Sequence, residues 1–187
     1  MSDIVDLYKK NLKTILDQLL SEEIKNLVHC LEDCWKNEKN IFICGNGGSA
    51  GNANHIANDL LYGAGKLNGK GLKIESLCAN PSVITCLAND TGYENIFSEQ
   101  LKVKGKEGDL LIVLSGSGNS KNVIKAAIEA KRMKIKVFSI LGYDGGECKK
   151  ISDHSLHTII NDMQISEDLQ LIIFHMCMKI LSKKKIS

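Results

Sequence analysis

At 187 residues, 43% of them hydrophobic and 25% charged, the chain has the length and composition of one globular domain with a sizeable core. A net charge of only +2 offers no nucleic-acid surface, and the one basic run, "SKKKIS" at the C-terminus, reads as a solvated tail. Seven cysteines without a CxxC pair argue against a disulfide framework or a zinc ribbon; the N-terminus has no apolar signal core, and no run approaches the ~20 apolar residues of a membrane helix, so the expectation is a cytoplasmic protein with no nucleic-acid or membrane partner.

Two amphipathic helices are predicted first. Leu7, Leu12, Ile15, Leu19 and Leu20 recur at helical spacing, as do Ile24, Leu27, Val28, Leu31 and Trp35, with Ser21 as an N-cap between them. This pair over residues 1–39 can cover a sheet or pack against another subunit. From residue 40 the period changes. "NIFICG", "LKIESLCA", "DLLIVLSG", "KVFSILG" and "LHTII" are short β-rich runs. Helical stretches separate or follow them, at about Ser49–Leu61, Ser82–Ala88, Asn119–Met133, Gly145–Ile151 and Glu167–Leu181. Such alternation predicts a single α/β domain, with a parallel sheet flanked by helices on both faces. Pro81 sits harmlessly at a helix start.

Ligands of such sheets bind beyond the carboxyl ends of the strands, where loops run into helix N-termini. Three loops have suitable composition: "CGNGGSAGN", "SGSGNSKN" and "GYDGGE". In the second, Ser115, Ser117 and Ser120 surround Gly116 and Gly118 just before a helix. Free N–H groups there, with the helix dipole and small hydroxyls, suit a phosphate dianion; a serine-rich turn and N-cap is the plainer alternative. The GK[ST] ending of a P-loop is absent, and "GNGGSAG" lacks the GxGxxG spacing. On the helix after the first loop, His55 and Asp59 stand four residues apart on one face, able to share a proton or a metal ion, or simply to pair on the surface.

"ICGNGGSAGNANHIAND", "LANDTGYENIFSEQL", "GDLLIVLSGSGNSKNVIKA", "LGYDGGE" and "EDLQ" together resemble the sugar isomerase (SIS) domain family, in its phosphoheptose isomerase branch. The resemblance covers nearly the whole chain. It implies that Asn46, Gly47, Gly48 and Ser49 approach the sugar, that Ser115, Gly116, Ser117 and Ser120 hold the phosphate, and that Asp90, Glu167 and Gln170 contact substrate. It also implies a homotetramer built through the N-terminal helices. Zinc is the implied cofactor, on His55, Asp59 and Gln170, with Asp59 as the base.

Two positions depart from the family's pattern. Asp59 stands where the family has Glu, one methylene longer, so its carboxylate is expected to fall ~1 Å short. Met178 stands where the family has a metal-binding, catalytic His; a thioether is a poor zinc ligand and carries no proton. His175, three residues earlier, either reaches the site as the acid by another route or is a core histidine, the reading slightly favoured; Cys177 is a further ligand candidate or a buried thiol. His29, His154 and His157 read as structural. The implied activity is aldose–ketose isomerisation of sedoheptulose 7-phosphate to D-glycero-D-manno-heptose 7-phosphate. The alternatives are a non-catalytic sugar-phosphate-binding or replication-initiator-associated scaffold protein, and an isomerase for a different sugar phosphate.

Overall fold

The computed structural model describes residues 2–19, 21–66 and 69–185. Five strands form one parallel sheet: β1 (Ile41–Cys44), β2 (Ile74–Ser76), β3 (Leu110–Ser115), β4 (Lys136–Leu141) and β5 (His154–His157), ordered β2-β1-β3-β4-β5. In register, Ile41 pairs with both Ile74 and Leu110, and Leu110 with Lys136. Both faces are buried, so β1, β3 and most of β4 read as continuous apolar runs, which is why they were legible in sequence.

The pleat sends alternate side chains to two separate cores. Ile41, Ile43, Leu110, Ile112, Leu114, Phe138 and Ile140 face α2 (Ser21–Lys36), α3 (Gly48–Asn58) and α8 (Met163–Leu181). Phe42, Cys44, Leu111, Val113, Val137 and Leu141 face α5 (Ser98–Lys104), α6 (Lys121–Arg132) and α7 (Gly146–Ile151). The helix of residues 81–91, α4 (Pro81–Thr91), is capped by Asn80, whose Oδ1 accepts the N–H groups of Ser82 and Val83. Its apolar residues Ile84, Leu87 and Ala88 are only partly buried against the second core.

The first helix, α1 (Ser2–Gln18), buries Ile15 and half-buries Tyr8, Leu12 and Leu16, while Ile4, Val5 and Leu7 stay exposed. Its Tyr8 hydroxyl donates to Asp168 Oδ2 at 2.5 Å, which ties it to α8. That bond, with burial and the Asp168 charge, raises the Tyr8 pKa to about 12. Leu20 lies outside the described residues, and Ser21 is itself the first residue of α2 rather than a cap before it.

Several element boundaries differ from expectation. The last helix starts at Met163, four residues before Glu167, because Asp162 caps it by accepting the Ile165 N–H. The fifth strand is His154–His157, ahead of most of "LHTII", since Thr158 N–H already bonds Leu141 O at the sheet's end. The helix α5 was not anticipated: at seven residues it is too short for a strong period, and it holds Leu101 fully buried. The helix after β1 ends at Asn58 and continues as one π-helical turn, Asp59–Gly63. Ala64 N–H closes that turn on Asp59 O, and Leu72 N–H bonds Leu60 O. All seven cysteines are free thiols, and among the described residues no helix is long and apolar enough to cross a membrane.

Candidate active site

The carboxyl ends of β1 and β3 deliver their loops side by side, and α8 crosses in front of them. A small open cleft of about 80 Å³ results, lined by Asn46, Ser49, Ser115, Gly116, Ser117, Ser120, Met163 and Glu167. Gly48 opens α3, and a Cβ there would overlap the Glu167 carboxylate. A larger residue there would require the Glu167 side chain to move out of the cleft.

The serine loop is held internally. Ser115 Oγ accepts Gly118 N–H at 3.0 Å, and Ser117 Oγ accepts Asn119 N–H at 3.2 Å. Ser120 occupies the N-cap position of α6, yet its hydroxyl makes no capping bond, which leaves it for a ligand at a helix N-terminus. The third glycine loop supports the second. Cys148 N–H bonds Gly118 O at 3.0 Å, Glu147 N–H bonds Asn119 Oδ1 at 3.1 Å, and Gly142 N–H bonds Gly116 O at 2.9 Å. Gly118 has φ +67°, and a Cβ there would run into the Gly145 carbonyl.

Asn46 is fixed by residues that sequence reasoning did not single out. Its Nδ2 donates to Asn122 Oδ1 at 2.8 Å, and Asn122 Nδ2 donates back to Asn46 Oδ1 at 2.7 Å. Tyr93 OH donates to the same Asn46 oxygen at 2.9 Å. Val123 N–H donates to Asn122 Oδ1, so the amide orientations of both asparagines follow from a backbone donor. Both lone pairs of the Asn46 oxygen are engaged and one N–H remains, so Asn46 faces the cleft as a donor. Asn122 carried a usable signal: it lies on the buried stripe of α6 with Val123, Ala126, Ala127 and Ala130, where a polar residue is out of place.

Gln170 is buried between two partners. Its Nε2 donates to Ser49 Oγ at 3.0 Å, and its Oε1 accepts Asn52 Nδ2 at 3.0 Å. Asn52, also missed, donates in addition to Glu167 O at 2.9 Å. Asp90 is exposed on α4, where it accepts from neighbours on its own helix: Asn89 Nδ2 at 2.7 Å and Cys86 Sγ at 3.6 Å, the latter contact raising the Cys86 thiol pKa.

Farther along α3 and α8, three side chains converge. His55 Nε2 and His175 Nε2 lie 3.1 Å apart, and Asp59 Oδ2 lies 3.5 Å from the first and 3.6 Å from the second. These three donor atoms group within 4.8 Å of one another. The core reading of His175 is therefore corrected: its side chain is 49% exposed and points at His55. Asp59 begins the π-turn, whose last residue, Gly63, lies against Met178 Cε. Met178 is a packing residue of that turn. Cys177 is fully buried, its thiol pKa raised by burial to about 12, and it stands apart from the three donors. His157 is held at the loops instead: its Nε2–H donates to Tyr143 O at 3.0 Å, and its Nδ1 accepts from Lys149 Nζ at 3.0 Å.

A tetrahedral zinc site with bonds of 2.0–2.2 Å separates its ligand atoms by roughly 3.3–3.6 Å. Two of the spacings here, 3.5 and 3.6 Å, fall in that range, and the third, 3.1 Å, lies just below it. The donor set also suits the ion, two imidazoles and one carboxylate being ordinary zinc ligands.

Comparison with known proteins places the chain in a family. The sequence profile of the SIS domain family matches residues 7–142. The phosphoheptose isomerase of Helicobacter pylori is 42% identical over 168 residues, 90% of this chain and 86% of that one. That of Clostridium acetobutylicum is 37% identical over 172 residues, 92% and 87% of the two chains. Among solved structures, the phosphoheptose isomerase of Neisseria gonorrhoeae superposes with a TM-score of 0.89 at 26% identity, covering 98% of each chain. The one from Francisella tularensis gives 0.90 at 25% identity, covering 97% of this chain and 98% of its own.

Proposed function

The chain belongs to the SIS domain family, and from that premise we propose that it isomerises sedoheptulose 7-phosphate to D-glycero-D-manno-heptose 7-phosphate, a step of heptose biosynthesis for lipopolysaccharide or capsule. One observation carries this reading. The helices α3 and α8 run from the cleft beside the serine loop to the His55, Asp59 and His175 cluster over about a sugar's length. From Ser49 to His55 is six residues and from Glu167 to His175 is eight, which at 1.5 Å per residue is about 9–12 Å. With carbon–carbon bonds near 1.5 Å, an extended seven-carbon sugar measures roughly 8–10 Å from carbonyl carbon to phosphorus.

The phosphate sits at the serine loop, with Ser120 and the first N–H groups of α6 as donors. Asn46 presents its remaining N–H to a sugar oxygen. Asp59 removes the proton from the carbon beside the carbonyl, through the oxygen that does not face the two imidazoles, and returns it to the former carbonyl carbon once the enediolate has formed, while the hydroxyl proton passes from the first sugar oxygen to the second. Zinc, the ion implied by the resemblance, polarises the carbonyl when bound, and His55 and Asp59 are two of the residues that would hold it.

The non-catalytic reading drew on the absence of a histidine at 178; the placement of His175 beside Asp59 takes that ground away. We further propose a cytoplasmic homotetramer, as the resemblance implies; the uncovered apolar edge of α1 at Ile4, Val5 and Leu7 supports self-association. Sedimentation at micromolar concentration tests the assembly, and a monomer refutes it. The activity is tested by incubating the protein with sedoheptulose 7-phosphate and zinc and following the aldose. Absence of turnover refutes the isomerase reading and leaves a sugar-phosphate sensor or scaffold.

A further inference from the structure

We infer that Asn52 is a positioning residue of the cleft. It fixes the direction of a buried hydrogen-bond chain that runs through Gln170 to Ser49 and leaves the Ser49 hydroxyl to donate to the bound sugar phosphate. The proposal deepens the isomerase reading and rests on it for the identity of the ligand.

The direction is set at one end. Asn52, half-buried on α3, lies 2.9 Å from Glu167 O, and a backbone carbonyl only accepts, so the atom that Asn52 turns toward α8 is its Nδ2. That nitrogen is also 3.0 Å from the side chain of Gln170, which therefore offers Oε1 to it. The Gln170 Nε2 is left on the opposite side, where it donates to Ser49 Oγ at 3.0 Å. Turning the chain round would set the Asn52 oxygen against the Glu167 carbonyl, two acceptors with no proton between them.

Ser49 stands at the open end. It accepts from Gln170, its one hydrogen-bond partner among the described residues, and keeps its own proton. The residue is 3% exposed and lines the cleft with Ser115, Ser117 and Ser120, so the place for that proton is an acceptor on a bound ligand. Asn52 itself does not line the cleft. Ser49 and Asn52 are three residues apart on α3, and Glu167 and Gln170 three apart on α8, so each helix presents its two groups on one face to the other. Gln170 is 1% exposed, and bulk water does not stand in for a lost partner. The cleft thereby gains a directed donor beside the Asn46 N–H and the Ser120 hydroxyl, where an undirected hydroxyl would be as ready to accept.

The test is a double-mutant cycle on the binding of sedoheptulose 7-phosphate, measured by equilibrium dialysis, which counts both isomers. Ser49→Ala removes the donor and should weaken binding about tenfold. Asn52→Asp puts an acceptor at the head of the chain. Gln170 then turns its amide, offers Oε1 to Ser49 and takes up the hydroxyl proton, so binding should again weaken about tenfold. The double variant should bind no more weakly than Ser49→Ala, because the donor is already gone. Gln170→Glu repeats the test with the Asn52 bonds intact, its carboxylate accepting from both Asn52 and Ser49. A new charge acting on the phosphate at a distance, or a loosened fold, would instead multiply with Ser49→Ala to about 100-fold. That result in either pair, or an Asn52→Asp protein that binds like wild type, overturns the proposal. Turnover is measured separately. Wild type that binds the sugar phosphate without turning it over would overturn the isomerase reading and keep the hydrogen-bond chain; multiplying effects in a protein that turns it over would do the reverse.

Discussion

Replacing Gly118 by alanine probes whether the "GYDGGE" loop holds the phosphate loop in shape. Gly118 has φ +67°, and holding an L-residue there costs about 1–2 kcal/mol. The added Cβ would also meet the Gly145 carbonyl oxygen, a backbone atom that cannot rotate away. Relief requires the two loops to part, which breaks the bonds from Cys148 N–H to Gly118 O and from Glu147 N–H to Asn119 Oδ1. Each contributes about 0.5–1.5 kcal/mol net, so the total destabilisation is about 2–5 kcal/mol. With a urea m-value of about 2 kcal/mol/M, the midpoint should fall by roughly 1–2.5 M at fixed protein concentration. Gly51→Ala is the control. That glycine is helical with open space around it, so alanine should stabilise by about 0.5–1 kcal/mol. Inorganic phosphate should protect wild type against urea and should not protect Gly118→Ala. A midpoint within 0.25 M of wild type, roughly 0.5 kcal/mol, with phosphate protection intact, would refute the coupling of the two loops.

Ser120→Ala should leave the urea midpoint nearly unchanged, because the hydroxyl caps nothing, yet weaken phosphate binding by about 1.5 kcal/mol, or roughly tenfold, by calorimetry; unchanged affinity removes Ser120 from the site. Tyr93→Phe removes one hydrogen bond to Asn46 from a ring that is 56% exposed, so stability should fall by only about 0.5 kcal/mol. KM for the sugar phosphate should rise about two- to threefold as Asn46 loses one restraint, and an unaltered KM would show that Asn122 alone orients it. Tyr8 is predicted to make stability depend on alkaline pH. Its folded pKa lies near 12 against an ordinary value of 10, so the folded state holds the proton more tightly. The stability from its bond to Asp168 is complete below pH 10 and disappears as pH rises toward 12. The difference in urea midpoint between wild type and Tyr8→Phe should therefore close between pH 10 and 12, and a constant difference would refute this assignment.

The strands at Ile41, Leu110 and Lys136, the glycine and serine loops, and the pairing of His55 with Asp59 were all readable from the chain, because each rests on local chemistry. A short continuous apolar run, a turn residue and an i,i+4 spacing are set by neighbours within a few bonds. The sequence thus determined the parallel sheet, its two helical layers and the glycine-serine loop at the end of β3. Other features are pairings across long stretches of chain, for which no local period exists: His55 with His175 is 120 residues apart, Asn46 with Asn122 is 76, and Gln170 with Ser49 is 121. Which of His175, Cys177 and Met178 faces the site depends on how α8 is rotated against α3, and packing decides that. Buried Cys177 and Met178 under Gly63 set the rotation, and His175 is left beside Asp59. The π-turn was equally invisible, since one extra residue per turn leaves the apolar pattern unchanged over so short a span, yet it sets where the Asp59 carboxylate lies.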